Sequence, residues 1–294
     1  MKNFLLLVFL FGFPGLANSQ APSLFKTTAQ ALANAEDKTI LIAAHRGGRQ
    51  SDKKNDAPEN SVANIDVAIT KAFHIYETDI RQTSDGVFVI VHDETLDRET
   101  NGTGAVEKMT AEEVAKLKKK FGDGSLSDHS VATFEGMLAA GKNKIHFKPD
   151  LKPGVIDSFD QLARLIHKHE MSDAVFLRTE YKHVWKISKL FADGTPRVEV
   201  MFKVNNADQV KKVHEKCDPK TIQINIDKGE KLSEEKIKAI KTAVELGILV
   251  ETHVYNDVQQ TEKLIESGVR MFHSFSPDKT VELLKKLAAK AAKD

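Results

Sequence analysis

Two short polar clusters, one directly after a predicted strand and one within a predicted strand, carry residues suited to catalysis. His45 and Arg46 follow the run Thr39–Ala44, and the two glycines after them allow a sharp backbone turn. An imidazole that titrates near neutral pH, beside a permanent cation, suits an anionic substrate. Glu77 and Asp79 are two residues apart, so in a strand their carboxylates point to the same face. Such oxygen ligands favour a hard cation, Mg²⁺ or Ca²⁺.

Two further clusters extend this chemistry. His92 follows the apolar run Val87–Val91, and the turn signal Ser84–Gly86 makes that run the second strand of a hairpin, which brings His92 near the carboxylate pair. A second imidazole lets one histidine act as general base while the other acts as general acid. Asp150 and Lys152 share a face after another strand-like run. They add a third carboxylate and a cation.

Together these residues predict a metal-assisted site for a phosphate ester. The metal would neutralise the phosphate and polarise the P–O bond. Each cluster also has a purely structural interpretation. The carboxylates can pair with Arg46, Arg81 or Lys152 instead of a metal, Asp150 and Lys152 can form a surface pair, and strand-end histidines often only pack.

The elements that position these clusters alternate regularly. Eight strands separated by amphipathic helices predict one α/β domain, a (β/α)8 TIM barrel, whose active site lies at the carboxyl ends of the strands. The predicted strands are Thr39–Ala44, Ile75–Arg81, Lys144–Asp150, Ala174–Arg178, Arg197–Phe202, Thr221–Ile226, Ile248–Val254 and Val269–His273. The predicted helices are Ser61–Ala72, Asp157–His169, His183–Phe191, Ala207–Lys216, Ser233–Leu246, Val258–Ser267 and Lys279–Ala292.

Two features interrupt the alternation. One is the hairpin that carries His92. The other is an insertion of about 50 residues, Asp93–Asn143, after the second barrel strand, which we expect over the barrel mouth. It contains an N-capped helix, predicted over Thr110–Lys119. The lysines among residues 116–120 are typical of a solvated face.

Composition excludes several classes of protein. The 294 residues carry 43 Lys and Arg against 42 Asp and Glu, which argues against a dedicated nucleic-acid binder. The single cysteine, Cys217, excludes an intramolecular disulfide and a cysteine-rich zinc site. The chemistry must therefore come from imidazole, carboxylate, cationic and hydroxyl groups. The oligomeric state leaves no trace in the sequence.

The amino terminus is typical of a secretory signal peptide. Lys2 precedes the apolar run Phe4–Leu16, and small residues at Ala17 and Ser19 precede a cleavage point before Gln20. The run is short for a membrane span, although an uncleaved anchor is the alternative interpretation. We expect residues 1–19 to be removed, and residues 20–294 to work in the periplasm or outside the cell.

The first half of the chain contains an ordered series of short motifs. They are His45-Arg46-Gly47-Gly48, Pro58-Glu59-Asn60-Ser61, Glu77-x-Asp79, Asp85-Gly86, His92-Asp93, Leu96-Asp97-Arg98 and Thr100-Asn101-Gly102-x-Gly104. Their order and spacing over about sixty residues are highly specific. The series resembles a known family, the glycerophosphodiester phosphodiesterases, which share the phosphatidylinositol-phospholipase-C-like phosphodiesterase barrel.

The resemblance implies hydrolysis of glycerophosphodiesters to sn-glycerol 3-phosphate and an alcohol. By position it implies that His45 and His92 are the general acid/base pair. It further implies that one divalent cation, Mg²⁺ or Ca²⁺, is held by Glu77, Asp79 and Asp150. The implied substrate-binding residues are Arg46, Glu59 and Lys152, with Glu59 in the motif that supports the loop of the first histidine.

The second half departs from the family pattern. Asp150 stands where the family usually has Glu, His253 replaces the aromatic of a Trp-Thr-Val-Asn motif, and Ser274–Pro277 replaces Thr-Asp-x-Pro. His253 and His273 end strands and can reach the pocket. These changes leave two alternatives open: a sphingomyelinase D-like phospholipase acting on phospholipid or lysolipid, and a non-catalytic exported barrel that binds phosphate ligands.

Overall fold

The computed structural model describes residues 23–34, 36–48 and 57–291. The predicted signal peptide, residues 1–19, lies outside the described residues. The strands are β1 Leu41–Ala44, β2 Ile75–Gln82, β3 Phe88–Ile90, β4 Lys118–Lys120, β5 Leu126–Ser130, β6 His146–Leu151, β7 Phe176–Glu180, β8 Glu199–Lys203, β9 Thr221–Gln223, β10 Leu249–Val254 and β11 Met271–Ser274. The helices are α1 Leu24–Ala33, α2 Ala63–Thr70, α3 Ala111–Ala115, α4 Phe134–Gly141, α5 Phe159–Lys168, α6 Val184–Ala192, α7 Ala207–Cys217, α8 Glu234–Glu245, α9 Val258–Ser267 and α10 Pro277–Ala291.

Eight parallel strands close into a barrel. Going round, the order is β1, β2, β6, β7, β8, β9, β10 and β11, and β11 pairs back to β1. Helices between successive strands bury their apolar faces against the outside of the barrel. The predicted (β/α)8 fold is therefore confirmed, and each of the eight predicted barrel strands is present.

The hairpin is also present, with β3 antiparallel to β2. Ile80 pairs with Ile90 and Arg81 with Val89, so the next pair along the ladder is Asp79 with Val91. His92 therefore leaves the hairpin beside the carboxylate pair of β2. The turn works because Thr83 and Gly86 close it with a backbone hydrogen bond.

Helix α1 covers the amino-terminal end of the barrel. Its residues Ala31 and Leu32 pack with apolar side chains that point inward from the first part of the strands, among them Leu41, Ile75 and Phe176. The Phe25 ring stacks on His146 at 4.5 Å between ring centroids. The amino-terminal end of the barrel is thus closed by apolar packing, which leaves the carboxyl end for the site.

The segment between β3 and α4 differs in three ways from the predicted insertion. The predicted insertion includes residues 134–141, yet these form helix α4, whose residues Phe134, Met137 and Leu138 are part of the barrel core. Helix α3 is shorter than predicted, although its Thr110 and Glu113 form the expected capping box. Residues 118–120 then form β4, which pairs with β5 in a small hairpin.

The lysine run is the third difference. Lys119 is fully buried, with Nζ 3.2 Å from Glu99 Oε2, so the prediction of an all-solvated lysine face was wrong there. The reason is the strand: alternate side chains of β4 point to opposite sides, and Glu99 provides the counter-charge that burial of a lysine requires.

Within the described ranges, no helix has the length and apolarity needed to cross a membrane.

Candidate active site

A cavity of about 170 Å³ opens at the carboxyl end of the barrel. Six of the eight predicted site residues line it, together with seven that were not assigned a role. The predicted ones are His45, Glu77, Asp79, His92, Asp150 and Lys152. The others are Lys148, Arg178, Gln223, Asn225, His253, His273 and Phe275.

The carboxylates form one wall of this cavity because of strand register. Asp79 of β2 lies beside Asp150 of β6. Lys152 Nζ lies between them, 2.7 Å from Asp79 Oδ1 and 3.0 Å from Asp150 Oδ2. Arg178 reaches the other oxygen of Asp150 at 2.9 Å. Asp79 also accepts a hydrogen bond of 2.8 Å from the amide of Asn60.

The surroundings of Glu77 in this wall disfavour its ionised form. Burial raises its pKa well above the ordinary value, and the charges on Asp79 and Asp150 add to that effect. Its Oε2 accepts a hydrogen bond of 2.8 Å from the backbone N–H of Arg46. Among the described residues, the groups whose ligand atoms lie within 4.8 Å of one another are His45, Glu77 and His273, and His92, Asp93 and Glu99. The predicted set of three carboxylates is not one of these groups, because Asp79 and Asp150 both pair with Lys152.

The loop after β1 brings the backbone N–H of Arg46 to Glu77 by an unusual backbone path. Arg46 adopts a left-handed conformation, with φ of 51°, and Gly47 follows with φ of 77°. A Cβ on Gly47 would lie 2.3 Å from the ring of Tyr76, so only glycine fits. This tight turn carries His45 to the cavity, where its ring packs edge-on against Phe275 at 4.6 Å.

Arg46 and Glu59, both predicted to bind substrate, lie outside the set that lines the cavity. Both side chains are buried, and Arg46 Nη1 lies 2.8 Å from Glu59 Oε1. Arg46 Nε is 3.5 Å from Asp79 Oδ2, so its positive charge lies behind the carboxylate wall. Direct substrate contact by these two residues stays a prediction, while their ion pair braces the loop of His45.

His92 is oriented by a chain of charged partners. Its Nδ1 lies 2.6 Å from Asp93 Oδ1, and Arg98 holds Asp93 with bonds of 2.6 and 3.1 Å. The hydrogen bonds from Arg98 hold the pKa of Asp93 well below its ordinary value. The buried Glu99 accepts the backbone N–H groups of both His92 and Asp93 at 2.9 Å. His92 is thus fixed on one side and faces the cavity with a third of its side chain exposed.

Sequence reasoning named His273 as able to reach the pocket but missed the second polar wall around it, which also contains Lys148, Gln223 and Glu251. Lys148 Nζ lies 2.7 and 2.9 Å from the two oxygens of Glu251 and 2.6 Å from Nδ1 of His273. Gln223 donates to Glu251 at 2.6 Å. Burial lowers the pKa of His273 well below its ordinary value, and the charge on Lys148 adds to this. The available signal was polar residues two apart in otherwise apolar strands, as in His146, Lys148 and Asp150.

Most of this chain matches a known protein family. The profile of the Glycerophosphoryl diester phosphodiesterase family matches residues 45–276. A glycerophosphodiester phosphodiesterase of Caldanaerobacter subterraneus is 36% identical over 121 residues, 40% of this chain and 47% of that protein. Human glycerophosphodiester phosphodiesterase 1 is 30% identical over 190 residues, 56% of this chain and 55% of that protein. The chain spans about half the length of these curated relatives.

Solved structures share the fold. A glycerophosphoryl diester phosphodiesterase from Parabacteroides distasonis superposes with a TM-score of 0.74 at 22% identity, covering 91% of this chain and 93% of that one. A phosphodiesterase from Oleispira antarctica, in complex with the product sn-glycerol-3-phosphate, superposes with a TM-score of 0.65 at 19% identity, covering 83% and 96%. Because the family profile spans most of the chain, from His45 to beyond the last barrel strand, this protein belongs to the glycerophosphoryl diester phosphodiesterase family.

Proposed function

We propose that the chain hydrolyses glycerophosphodiesters to sn-glycerol 3-phosphate and an alcohol, with His45 and His92 as the acid/base pair. The observation that carries this proposal is a single cavity lined by two imidazoles, three carboxylates and the cations Lys152 and Arg178. The names of the curated relatives support the substrate class, as does the neighbour with bound sn-glycerol-3-phosphate.

The cationic groups would bind the phosphoryl oxygens. Lys152 and Arg178 both line the cavity, and their contacts with Asp150 hold their long side chains in place before substrate arrives. Charged donors in a partly desolvated cavity form stronger bonds to phosphate than neutral donors do. Arg46 adds positive potential from behind the carboxylate wall.

Glu77, Asp79 and Asp150 would hold one divalent cation, Mg²⁺ or Ca²⁺, since both ions favour oxygen ligands. Bound there, the ion would neutralise the phosphoryl charge and polarise the P–O bond. Glu77 supports this proposal, because burial and the charge of Asp79 disfavour its ionised form and an added positive charge would reverse that penalty.

Proton transfer falls to the two histidines. Asp93 accepts the Nδ1 proton of His92, which leaves Nε2 as the nitrogen that exchanges a proton with substrate. His45 lies on the far side, against Phe275. One imidazole takes a proton from the nucleophile, either water or a neighbouring glycerol hydroxyl, and the other protonates the leaving oxygen.

We also propose that residues 1–19 direct export and are then removed. The support is the order of a positive start, an apolar run and small residues before Gln20. Amino-terminal sequencing of exported protein should begin at Gln20. Retention of the apolar run in the mature protein would contradict cleavage.

Substrate and metal are tested in one assay series. Purified protein is given glycerophosphocholine or lysophosphatidylcholine. Release of choline, the product common to both substrates, is measured for each, together with release of sn-glycerol 3-phosphate from the first. We expect turnover of the first substrate, loss of turnover after chelation with EDTA, and recovery with Mg²⁺ or Ca²⁺. Preference for the lysolipid would favour the phospholipase alternative. Tight binding of sn-glycerol 3-phosphate without turnover of any diester would favour the binding-protein alternative.

A further inference from the structure

We propose that His273 donates a hydrogen bond from its Nε2–H to an oxygen of the bound phosphodiester, at the His45 end of the cavity, and that Lys148 and Glu251 fix it in that tautomer. This inference rests on the proposed function and adds a residue of the second polar wall to substrate recognition.

The tautomer follows from the partners of His273. Its Nδ1 lies 2.6 Å from Lys148 Nζ, and Lys148 is held by both carboxylate oxygens of Glu251. An ammonium group has donors and no acceptor, so Nδ1 must accept. The ring proton of neutral His273 therefore resides on Nε2. Gln223 donates to Glu251 from the other side and fixes the carboxylate that anchors the lysine.

The Nε2–H group of His273 is a buried donor in the wall of the cavity. His273 is 5% exposed and lines the cavity, and its Nε2 has no hydrogen-bond partner among the described residues. Its ring lies 5.4 Å from that of His45 and 4.9 Å from that of His253, measured between centroids. A buried N–H without a partner destabilises the unliganded protein, and an acceptor on a ligand would remove that penalty.

The same geometry argues against His273 as a metal ligand. One ligand atom each from His45, Glu77 and His273 lie within 4.8 Å of one another, a spacing that also suits a metal ion. A nitrogen that carries a proton has no lone pair to give, and the other nitrogen accepts from Lys148. The assignment of His273 is therefore donor to substrate.

The kinetic experiment compares three variants with wild type on glycerophosphocholine. His273→Leu removes the donor, and we expect kcat/KM to fall about 10- to 100-fold, the range for a lost hydrogen bond to a charged group. His273→Gln keeps an N–H near the position of Nε2 and should recover most of that loss. His146→Phe, a matched change of a buried histidine at the opposite end of the barrel, should leave kcat/KM unchanged. Equal losses of kcat/KM in His273→Leu and His273→Gln, or no loss in His273→Leu, would overturn the proposal.

The tautomer has its own readout, which does not depend on turnover. A long-range ¹H–¹⁵N correlation spectrum of the wild-type imidazoles, assigned with His273→Gln, should show the proton on Nε2 alone. A proton on Nδ1 would overturn the assignment even if a variant failed to fold. In the double variant Lys148→Met, Glu251→Leu, which removes both charges together, that preference should weaken and kcat/KM should fall in the same direction as in His273→Leu.

The two readouts separate this inference from the function it rests on. If wild type hydrolyses no phosphodiester, the proposed function fails, whatever the tautomer. If wild type is active and His273→Leu retains full kcat/KM, only the role of His273 fails.

Discussion

Two histidines inside the same barrel have opposite surroundings. His146 lies at the closed end, between the rings of Phe25 and Phe176, and neither ring nitrogen has a partner among the described residues. His273 lies at the open end, bonded to Lys148 and next to His45. Both are buried and both point inward. The comparison teaches that burial alone does not distinguish the two histidines; what differs is the charged neighbour and the open cavity at His273.

The largest predicted difference between the open and closed ends of the barrel is in kcat. His45→Ala and His92→Ala should each lower kcat by about 10²- to 10⁴-fold, because each removes one partner of the proton relay. His146→Phe should leave kcat unchanged in the same assay. Circular dichroism and thermal melting establish that the variants are folded. Near-normal kcat in either alanine variant would contradict its role.

At the closed end, the predicted effect is a loss of folding stability at acid pH. Burial lowers the pKa of both His146 and His74 from 6.5 to about 4. Below pH 6.5 the unfolded chain takes up protons that the folded chain does not, so stability falls progressively until the folded groups titrate near pH 4. Each histidine contributes up to about 3 kcal/mol to this loss.

Urea denaturation between pH 7 and pH 4.5 measures the effect. His146→Phe should flatten the pH dependence of the unfolding free energy, whereas the exposed-helix variant His167→Gln should not. Parallel curves for wild type and His146→Phe would contradict the assignment.

A smaller predicted effect at the closed end is a loss of stability without a change in kcat. Leu32 of α1 is 9% exposed and packs beneath the barrel. Leu32→Ala should lower the unfolding free energy by about 2 kcal/mol, at the low end for a buried leucine because the site is near the surface. The kcat at 25 °C should stay at the wild-type value. A loss of kcat without a loss of stability would show that α1 influences the cavity.

The smallest predicted effect concerns orientation at the open end. Arg98 bonds Asp93, which in turn bonds His92, and Arg98 itself need not touch substrate. Arg98→Leu should lower kcat about tenfold, equivalent to about 1.4 kcal/mol, by loosening that pair. Arg98→Lys should lower it less. The KM for glycerophosphocholine should change little, and a change confined to KM would indicate direct substrate contact.

The sequence predicted the barrel well because its signal is local. Each predicted strand and helix depends on the spacing of apolar residues within one segment, and clusters two residues apart, such as Glu77 and Asp79, identify one face of one strand. Contacts between distant segments were not predictable in this way. The pairs of Lys148 with Glu251 and of Lys119 with Glu99 depend on strand register and chain path, which no short window of sequence encodes.

The position of helix α4 illustrates the same limit. Its sequence is short and rich in small residues, so the sequence alone predicts part of a long loop. The helix is stabilised by the barrel core, against which Phe134 and Met137 pack. Conversely, Arg46 and Glu59 match a motif, yet the motif alone gives no indication that they pair with each other behind the cavity.

The small β4–β5 hairpin has a consequence for protein engineering. Its exposed turn at Phe121–Ser125 is closed by local hydrogen bonds, while the link to His92 runs through Glu99 and Lys119 at the other side of β4. The bonds from Phe121 N–H to Ser125 O and from Gly124 N–H to Phe121 O stay within the turn. A reporter peptide or affinity tag inserted next to Gly124 would extend outward and leave His92 in register, which makes this turn an attachment point for immobilising the protein with its cavity open.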